Sequence, residues 1–380
     1  MPGYVLSIDC GTQSLRAIIF DAKGKMLAKS SVSFEPYYST KPGFAEQDPY
    51  VYWHALCQTT KELKSVNLAI FDNVDVVSVT TQRDTCTCLD RDGEPVRDLI
   101  SWADERVIAQ PRVYSKRNQL ALRAVGMFKV ANLLSRQCHG HWVEDYEPEN
   151  WAKTYKYVQL SGFLNHKLTS KFRDGVASQV GHIPFNYKKR IWEKPNSMKG
   201  QLFQLGMDRM IDLVETTGIL GHVTKKASEE TGLKIGLPVV AAGSDKGCET
   251  LGVGCNDNST ISISLGSQAT VQASSEKYYE VQSFIPPFPG VNPERYNPEI
   301  QIYRGYWMIS WFKNEFAHRE QIQAEKEGVT PEYLLDKELK NIHPGSDGLI
   351  LQPFWGAGLK SPEARGSIIG FYDYHKRILI

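Results

Sequence analysis

The chain has 380 residues, of which 41% are hydrophobic and 23% charged, and its 44 Lys and Arg residues nearly balance 43 Asp and Glu. This length suits two domains, and the composition excludes a disordered chain. The near-neutral charge argues against a partner that is a nucleic acid or a membrane surface, and no apolar stretch approaches the ~18 residues of a membrane span. The seven cysteines are scattered without CxxC spacing and no secretory signal is visible, so we expect free thiols and a cytoplasmic location.

Three strands joined by tight turns are expected to open the chain. Apolar or β-branched runs at residues 4–8, 15–20 and 26–34 predict the strands, and the polar segments between them predict the turns. Short loops between consecutive strands favour an antiparallel meander. A helix should then begin at Pro49, with Asp48 as its N-cap.

The next stretch predicts further strands before a helical region. Residues 74–79 are typical of a buried strand, and residues 85–89 and 96–102 flank a turn, which predicts a second hairpin. Residues 105–235 are expected to be mostly helical, and they end in a short helix over 224–231.

Strands return near residue 240, over residues 238–243 and 262–265. The alternation of strands and helices predicts the α/β class. The change near residue 240 predicts two domains, residues 1–240 and 241–380.

A short internal repeat supports two related domains. Residues 8–13 (IDCGTQ) can be laid over residues 263–268 (ISLGSQ), and both read as a strand followed by a Gly-hydroxyl-Gln turn. Six positions are few, and chance could produce them. Taken at face value, two such turns facing each other would clamp a polyphosphate with backbone N–H groups and hydroxyls.

Two carboxylates follow strands at positions where an enzyme could use them. Asp9 precedes a glycine turn, where it could lie near a metal-bound phosphate or simply cap the turn. Asp245 follows the 238–243 strand, where it could be a catalytic base, the N-cap of a helix over 246–251, or both.

Polar and aromatic side chains follow two further strands. Gln82, Arg83 and Asp84 come after the 74–79 strand, and Trp102 with Asp104 and Arg106 ends the second hairpin. Carboxylates and Arg bond hydroxyl groups and an indole packs on C–H faces, so this mixture suits a polyol. The alternative is that Trp102 packs in the core and that Asp104 and Arg106 form a solvated surface pair.

Several common motifs are absent from the sequence. It contains no GxxxxGK[ST], no GxGxxG after a strand, no HExxH and no GxSxG, which disfavours Walker-type nucleotide hydrolases, zinc proteases and nucleophile-elbow hydrolases. Cys86 and Cys88 alternate on a strand and are expected to be core residues.

Together these segments resemble the FGGY family of carbohydrate kinases, which belongs to the actin, Hsp70 and sugar-kinase superfamily. The resemblance covers nearly the whole chain in the family's order. It rests on the segments YVLSIDCGTQSLRAIIFDAKGKMLA, FAEQDPYVYW, VTTQRDTCTCLDRDGEPVRDLISWADER, EPENWAKTYKYVQLSGFLNHKLTS, TGLKIGLPVVAAGSDKGCETLGVG, ISISLGSQATVQ and GLILQPFWGAGLKSPEARGSIIG.

The resemblance implies an enzyme that uses ATP and Mg²⁺ to phosphorylate a sugar or polyol. It implies two ribonuclease H-like (actin-like ATPase) domains around a cleft. The N-terminal domain, residues 1–240, would bind the sugar and carry the first phosphate turn, and the C-terminal domain would be residues 241–380. A non-catalytic sugar- or nucleotide-binding pseudokinase or scaffold on the same fold is the alternative.

The family's functional positions carry over residue by residue. Asp245 matches the catalytic base, and Asp9 and Asp245 are the expected neighbours of Mg²⁺, through water. Asp84 stands where glycerol-kinase-like members typically have Glu, and Lys246 stands where they have Gln, which leaves the sugar open. The expected phosphate-binding residues are Gly11, Thr12, Gln13, Ser14, Arg16, Gly266 and Ser267, and the expected substrate-binding residues are Gln82, Arg83, Asp84, Trp102, Asp104 and Lys246.

Family members continue beyond residue 380 by about a small domain's length, which includes the motif that holds adenosine. The resemblance therefore implies an incomplete second domain, exposed apolar residues at 349–351 and 368–369, and weak or no ATP binding. A homodimer or another partner surface could cover such residues.

Overall fold

Strands and helices alternate through the part of the chain that the computed structural model describes, residues 3–265, 269–282, 285–302, 305, 307–352, 354 and 364–375. The strands are β1 (Tyr4–Cys10), β2 (Ser14–Asp21), β3 (Met26–Ser33), β4 (Glu46–Gln47), β5 (Val74–Thr81), β6 (Cys86–Leu89), β7 (Leu99–Ile100), β8 (Lys156–Gln159), β9 (Arg173–Gly175), β10 (Phe185–Asn186), β11 (Ile191–Trp192), β12 (Asp212–Val214), β13 (Ile219–His222), β14 (Pro238–Ala241), β15 (Ile261–Leu265), β16 (Ala269–Ala273), β17 (Phe288–Pro289), β18 (Tyr296–Asn297), β19 (Glu299–Ile302), β20 (Ile350–Gln352) and β21 (Ser367–Ile369). The helices are α1 (Pro49–Val66), α2 (Leu68–Phe71), α3 (Lys116–Ala124), α4 (Phe128–Arg136), α5 (His139–Tyr146), α6 (Pro148–Lys153), α7 (Leu160–Thr169), α8 (Met198–Leu202), α9 (Lys225–Thr231), α10 (Asp245–Gly252), α11 (Trp307–Phe316), α12 (His318–Glu327) and α13 (Pro331–Leu339). The predicted α/β class is confirmed.

The described residues divide into two compact units. The first runs to Thr260 and includes Ala273–Pro298, so it contains both β14 and α10. The second comprises Ile261–Gln272 and the described residues from Glu299 onward. These units are clusters of contacts, and the predicted domain division after residue 240 stays a prediction.

A six-stranded sheet in the order β13-β14-β5-β1-β2-β3 forms the centre of the first unit. The first three strands of the chain form the predicted antiparallel meander. β5 runs parallel to β1, and β14 runs parallel to β5. The carboxyl ends of β1, β5 and β14 therefore meet at one edge of the sheet, which is where open α/β sheets bind ligands.

Helix α1 covers one face of this sheet and begins as the sequence predicts. Pro49 is its first residue, and the Asp48 carboxylate accepts a hydrogen bond of 2.9 Å from the Tyr50 N–H. Tyr52, Leu56 and Leu63 lie buried on its inner side, in one core with the apolar residues of the sheet. Burial of each of these side chains stabilises the fold by about 1.5–3 kcal/mol. The helix therefore supports the sheet whose strands β1, β5 and β14 end at one edge.

A second sheet, in the order β4-β7-β6-β8, lies over a separate core of the first unit. The predicted second hairpin is confirmed only in part, because β7 is two residues long and Cys86 pairs with Ile100. β6 lies between β7 and β8, and all four of its residues pair with β8. Cys86 and Cys88 are buried in the core, as predicted.

The prediction that residues 105–235 are mostly helical is wrong. Helices α3–α9 lie in this stretch, but strands β8–β13 are interspersed among them. These strands are two to four residues long, too short for a two-residue alternation of apolar and polar positions to be recognised. The helix predicted near residue 224 is confirmed, with Thr224 as N-cap and Gly232 in the left-handed conformation at its end.

The second unit contains the sheet β15-β16-β19, helices α11–α13 and the strand pair β20-β21. Apolar side chains are exposed at Ile350, Leu351 and Ile369. Among the described residues, no helix combines the length and apolarity needed to cross a membrane.

Candidate active site

Three chain segments follow β1, β5 and β14 at the same edge of the central sheet. Cys10 lies opposite Thr81, and the Gln82 N–H donates to the Cys10 carbonyl oxygen at 3.1 Å. The Thr80 hydroxyl donates to the Gly243 carbonyl oxygen at 2.8 Å. These bonds bring together the residues that follow the three strands, which are most of the site residues predicted from the sequence.

The Thr12 hydroxyl joins the first turn to two other segments. It donates to the Gln82 side-chain oxygen at 2.7 Å and accepts from the Trp102 indole N–H at 3.1 Å. The Gln82 amide in turn donates to the Tyr52 hydroxyl at 3.2 Å. The Thr12 hydroxyl therefore links the first turn to Gln82 and Trp102, and its role in phosphate binding stays a prediction.

The rest of the first turn is closed by backbone bonds. The Gly11 N–H donates to the Ser14 carbonyl oxygen at 3.0 Å, and the Gln13 carbonyl oxygen accepts from the Phe34 N–H at 3.0 Å. Ser14 is the first residue of β2. The Gly11 N–H is therefore engaged within the turn, and the Gln13 side chain is exposed.

Asp9 and Arg16 face each other across β1 and β2. The Arg16 guanidinium lies 2.9 Å from the Asp9 carboxylate, and their side chains are 46% and 31% exposed. An ion pair this exposed contributes little to stability, about 0–1 kcal/mol. Both side chains therefore remain accessible to a charged ligand.

Asp245 is the first residue of α10, so the alternative that it is the N-cap of this helix is wrong. Ser244 is the N-cap, because its hydroxyl oxygen accepts the Gly247 N–H at 3.4 Å. The same oxygen accepts from the Arg83 side chain at 3.1 Å. Among the described residues, the hydrogen bond that the Asp245 carboxylate accepts comes from the Lys246 N–H, at 2.7 Å.

The Asp245 carboxyl is affected by burial and by a neighbouring cation. Burial raises its pKa above the ordinary value, although the Arg83 guanidinium acts in the opposite direction. The start of α10 also favours the ionised form.

Asp9 and Asp245 lie close enough to act on the same groups. Burial raises the pKa of the Cys10 thiol, and both carboxylates raise it further. Both also raise the pKa of Cys248, which burial raises most. Both carboxylates therefore lie near the Cys10 and Cys248 thiols.

The segment after residue 180 holds the Asp84 side chain. Its carboxylate accepts the His182 N–H at 3.1 Å and bonds the His182 ring nitrogen Nδ1 at 2.6 Å. Its own N–H donates to the Val180 carbonyl oxygen at 3.1 Å. The Arg83 guanidinium stacks 4.6 Å from the ring centre of Phe288.

Asp104 does not belong to this edge, contrary to its predicted role in substrate binding. Its side chain is fully buried, and both its oxygens are used by Arg106 at 2.7 Å and by the Ala45 N–H at 2.6 Å. Arg106 is also buried, and its guanidinium packs against the rings of Phe44 and Trp142. The alternative of a solvated surface pair is therefore wrong too, because the aromatic rings and the carboxylate replace water around the guanidinium.

Three predicted site residues remain, and the structure describes one of them. Lys246 lies on α10 and pairs with Glu249 at 2.8 Å, with other contacts in addition. Gly266 and Ser267, the predicted second phosphate turn, lie outside the described residues.

Sequence reasoning missed Ser244 and His182. Ser244 stands directly before a helical stretch, which is the usual signal of an N-cap. His182 carries no comparable signal, since it lies 98 residues from Asp84 in the chain.

The chain is similar to known carbohydrate kinases in sequence and in fold. Residues 4–252 match the N-terminal domain model of the FGGY family of carbohydrate kinases. A sugar kinase of Escherichia coli, described as uncharacterized, is 27% identical over 97% of this chain and 68% of its own length. A xylulose kinase of Bacillus subtilis is 25% identical over 98% of this chain and 73% of its own length.

Solved structures share the fold. The crystal structure of a xylulose kinase from Rhodospirillum rubrum superposes with a TM-score of 0.82 at 21% identity, over 99% of this chain and 74% of that one. The Plasmodium falciparum glycerol kinase with ADP gives a TM-score of 0.75 at 18% identity, over 100% of this chain and 75% of that one. With a family model that covers most of the chain, these matches confirm the predicted kinase fold, and the protein belongs to the FGGY family of carbohydrate kinases.

Proposed function

We propose that this chain transfers the γ-phosphoryl group of ATP to a hydroxyl group of a sugar or polyol. The observation that carries the proposal is the convergence of two carboxylates, Asp9 and Asp245, with Arg83, Asp84 and Trp102 at one edge of the central sheet. A non-catalytic binding protein would have no use for a second acidic group beside the sugar-binding side chains.

Asp245 is the base in this proposal. Its carboxylate accepts the proton of the substrate hydroxyl while that oxygen attacks the γ-phosphorus and the bond to ADP breaks. The Lys246 N–H and the Arg83 guanidinium favour the ionised carboxylate that this step needs. Positioning and electrostatic stabilisation supply most of the acceleration in such a reaction.

The residues present fit a magnesium ion. Asp9 and Asp245 offer carboxylate oxygens, and the described residues contain no group of three or more acidic, histidine or cysteine side chains that would enclose a metal. Mg²⁺ usually keeps several waters and takes only one or two carboxylates besides phosphate oxygens, so Asp9 and Asp245 are sufficient to hold it. Bound there, it would neutralise charge on the phosphate groups.

The substrate-binding side chains are Gln82, Arg83, Asp84 and Trp102 in this proposal. The Trp102 indole is held by the Thr12 hydroxyl, so its ring face can pack on the C–H groups of a polyol. Arg83 and Asp84 supply a donor and an acceptor for hydroxyl groups.

A coupled assay of ADP release tests the proposal. The chain is incubated with ATP, Mg²⁺ and each of D-xylulose, D-gluconate, glycerol and further pentuloses, hexuloses and polyols, with a reaction lacking sugar as background. We expect sugar-dependent ADP release with at least one member. Release that no sugar raises above background would overturn the proposal and favour a binding protein on the same fold.

A further inference from the structure

The Asp84 carboxylate lies in a cradle formed by Gly181 and His182. One oxygen accepts the backbone N–H of His182 and the other bonds its ring nitrogen Nδ1. Asp84 has a positive φ of 52°, a conformation that Asp tolerates better than most residues. A Cβ atom on Gly181, which has a φ of 148°, would clash with the same carboxylate.

The cradle leaves part of the carboxylate open. The side chains of Asp84 and His182 are 23% and 26% exposed. An ionised carboxylate has about four acceptor positions, and His182 occupies two of them, one on each oxygen. Each oxygen can therefore still accept one hydroxyl group, which suits two neighbouring hydroxyls of one substrate.

Each partner of the pair favours the charged form of the other. Burial alone would lower the pKa of His182, but the Asp84 carboxylate outweighs this effect and raises it. Burial alone would raise the pKa of Asp84, but His182 lowers it below the ordinary value. Five titratable side chains near the pair are uncharged near pH 7, because burial lowers the pKa of His139 to about 4 and raises those of Cys86, Cys138, Tyr157 and Tyr187.

We propose that His182 is a substrate-positioning residue that acts through Asp84, by aiming its carboxylate at two neighbouring hydroxyl groups of the sugar. This inference rests on the proposed function, because it concerns the same site. His182 does not touch the reacting atoms in this proposal. It determines which polyols bind well, since both oxygens of Asp84 must be oriented at once.

The effect should appear in substrate affinity and not in the chemical step. Replacing His182 with Phe keeps a ring of similar shape but removes the side-chain donor to Asp84. A charge-assisted hydrogen bond lost in this way should raise KM by about tenfold or more and leave kcat within about threefold. His182→Asn can place an amide N–H near the position of Nδ1, so its KM should stay within about threefold of the wild type.

Histidine NMR tests the pair without any turnover. In the whole chain we expect His182 to titrate above the ordinary pKa of about 6.5, and Asp84→Asn should lower that pKa. Adding the best substrate among D-xylulose, D-gluconate and glycerol should shift the His182 signal and leave that of the exposed His222 unchanged.

The outcomes separate this inference from the proposed function. If no sugar supports turnover, the proposed function fails, while the titration still decides whether Asp84 and His182 form the pair. An unchanged KM in His182→Phe, or a His182 pKa unaffected by Asp84→Asn, would overturn the inference. If His182→Phe does not fold, His182→Asn decides the question. A KM that His182→Asn raises as much as Asp84→Asn does would contradict the role of the Nδ1 donor.

Discussion

The Thr12 hydroxyl bonds two neighbouring segments of the site, and Thr12→Val removes it without changing the shape of the side chain. The variant leaves the Gln82 oxygen without a donor and the Trp102 indole N–H without an acceptor. Gln82 is only 4% exposed, so water replaces the lost partner poorly. An unpaired buried group costs about 1–3 kcal/mol and an average neutral hydrogen bond contributes about 1 kcal/mol, so the free energy of unfolding should fall by about 2–3 kcal/mol.

Urea denaturation followed by tryptophan fluorescence measures this loss, with Thr12→Ser as the matched control. Serine keeps the hydroxyl, so it should cost less than about 1 kcal/mol. A double-mutant cycle with Trp102→Phe isolates the bond to the indole and should give a coupling of about 1 kcal/mol. Equal midpoints for the Val and Ser variants, or additivity within about 0.3 kcal/mol, would refute the bonding described for Thr12.

Two further predictions concern the stability of the folded chain. Thermal unfolding should show Gly181→Ala to be about 1–3 kcal/mol more destabilising than the control Gly126→Ala. The new Cβ at position 181 clashes with Asp84, whereas a Cβ at position 126, where φ is also positive, meets open space. Equal melting temperatures would contradict the cradle. Between pH 6 and pH 4 the wild type should lose stability, since burial lowers the pKa of His141 to about 4. In this range His141 is protonated in the unfolded chain and neutral in the native one, so falling pH favours unfolding. Asp174 opposes this loss, because burial raises its pKa from 3.8 to about 6 and its native form holds a proton that the unfolded form releases. In Asp174→Asn the loss measured by urea unfolding at the two pH values should therefore be about 2 kcal/mol larger, and an unchanged loss would show that Asp174 does not titrate near 6.

The central sheet could be predicted because its signals are local. Each of the first three strands is a continuous apolar or β-branched run, and Asp48 and Pro49 mark the start of α1. The short strands within 105–235 could not be predicted, because a strand of two residues is defined by its partner across the sheet and not by its own pattern.

The site was predictable where a polar residue directly follows a strand. Asp9, Gln82 and Asp245 were found in this way, since parallel strands bring their carboxyl ends to one edge. Asp104 was misplaced because it lies in a loop, where sequence spacing does not determine which way a side chain points. His182 could not be found, because its only indication is a contact with Asp84 in a distant part of the chain.

The measurement that tests the central claim most directly is the turnover of Asp245→Asn with the best sugar of the panel, beside sugar affinity by calorimetry. Removing the base should lower kcat by about 10²–10⁴-fold and leave sugar affinity within a few-fold. Glu229→Gln, a carboxylate exposed on α9, should retain wild-type turnover. Near-normal turnover in Asp245→Asn would contradict the assignment of this edge of the sheet as the site of phosphoryl transfer.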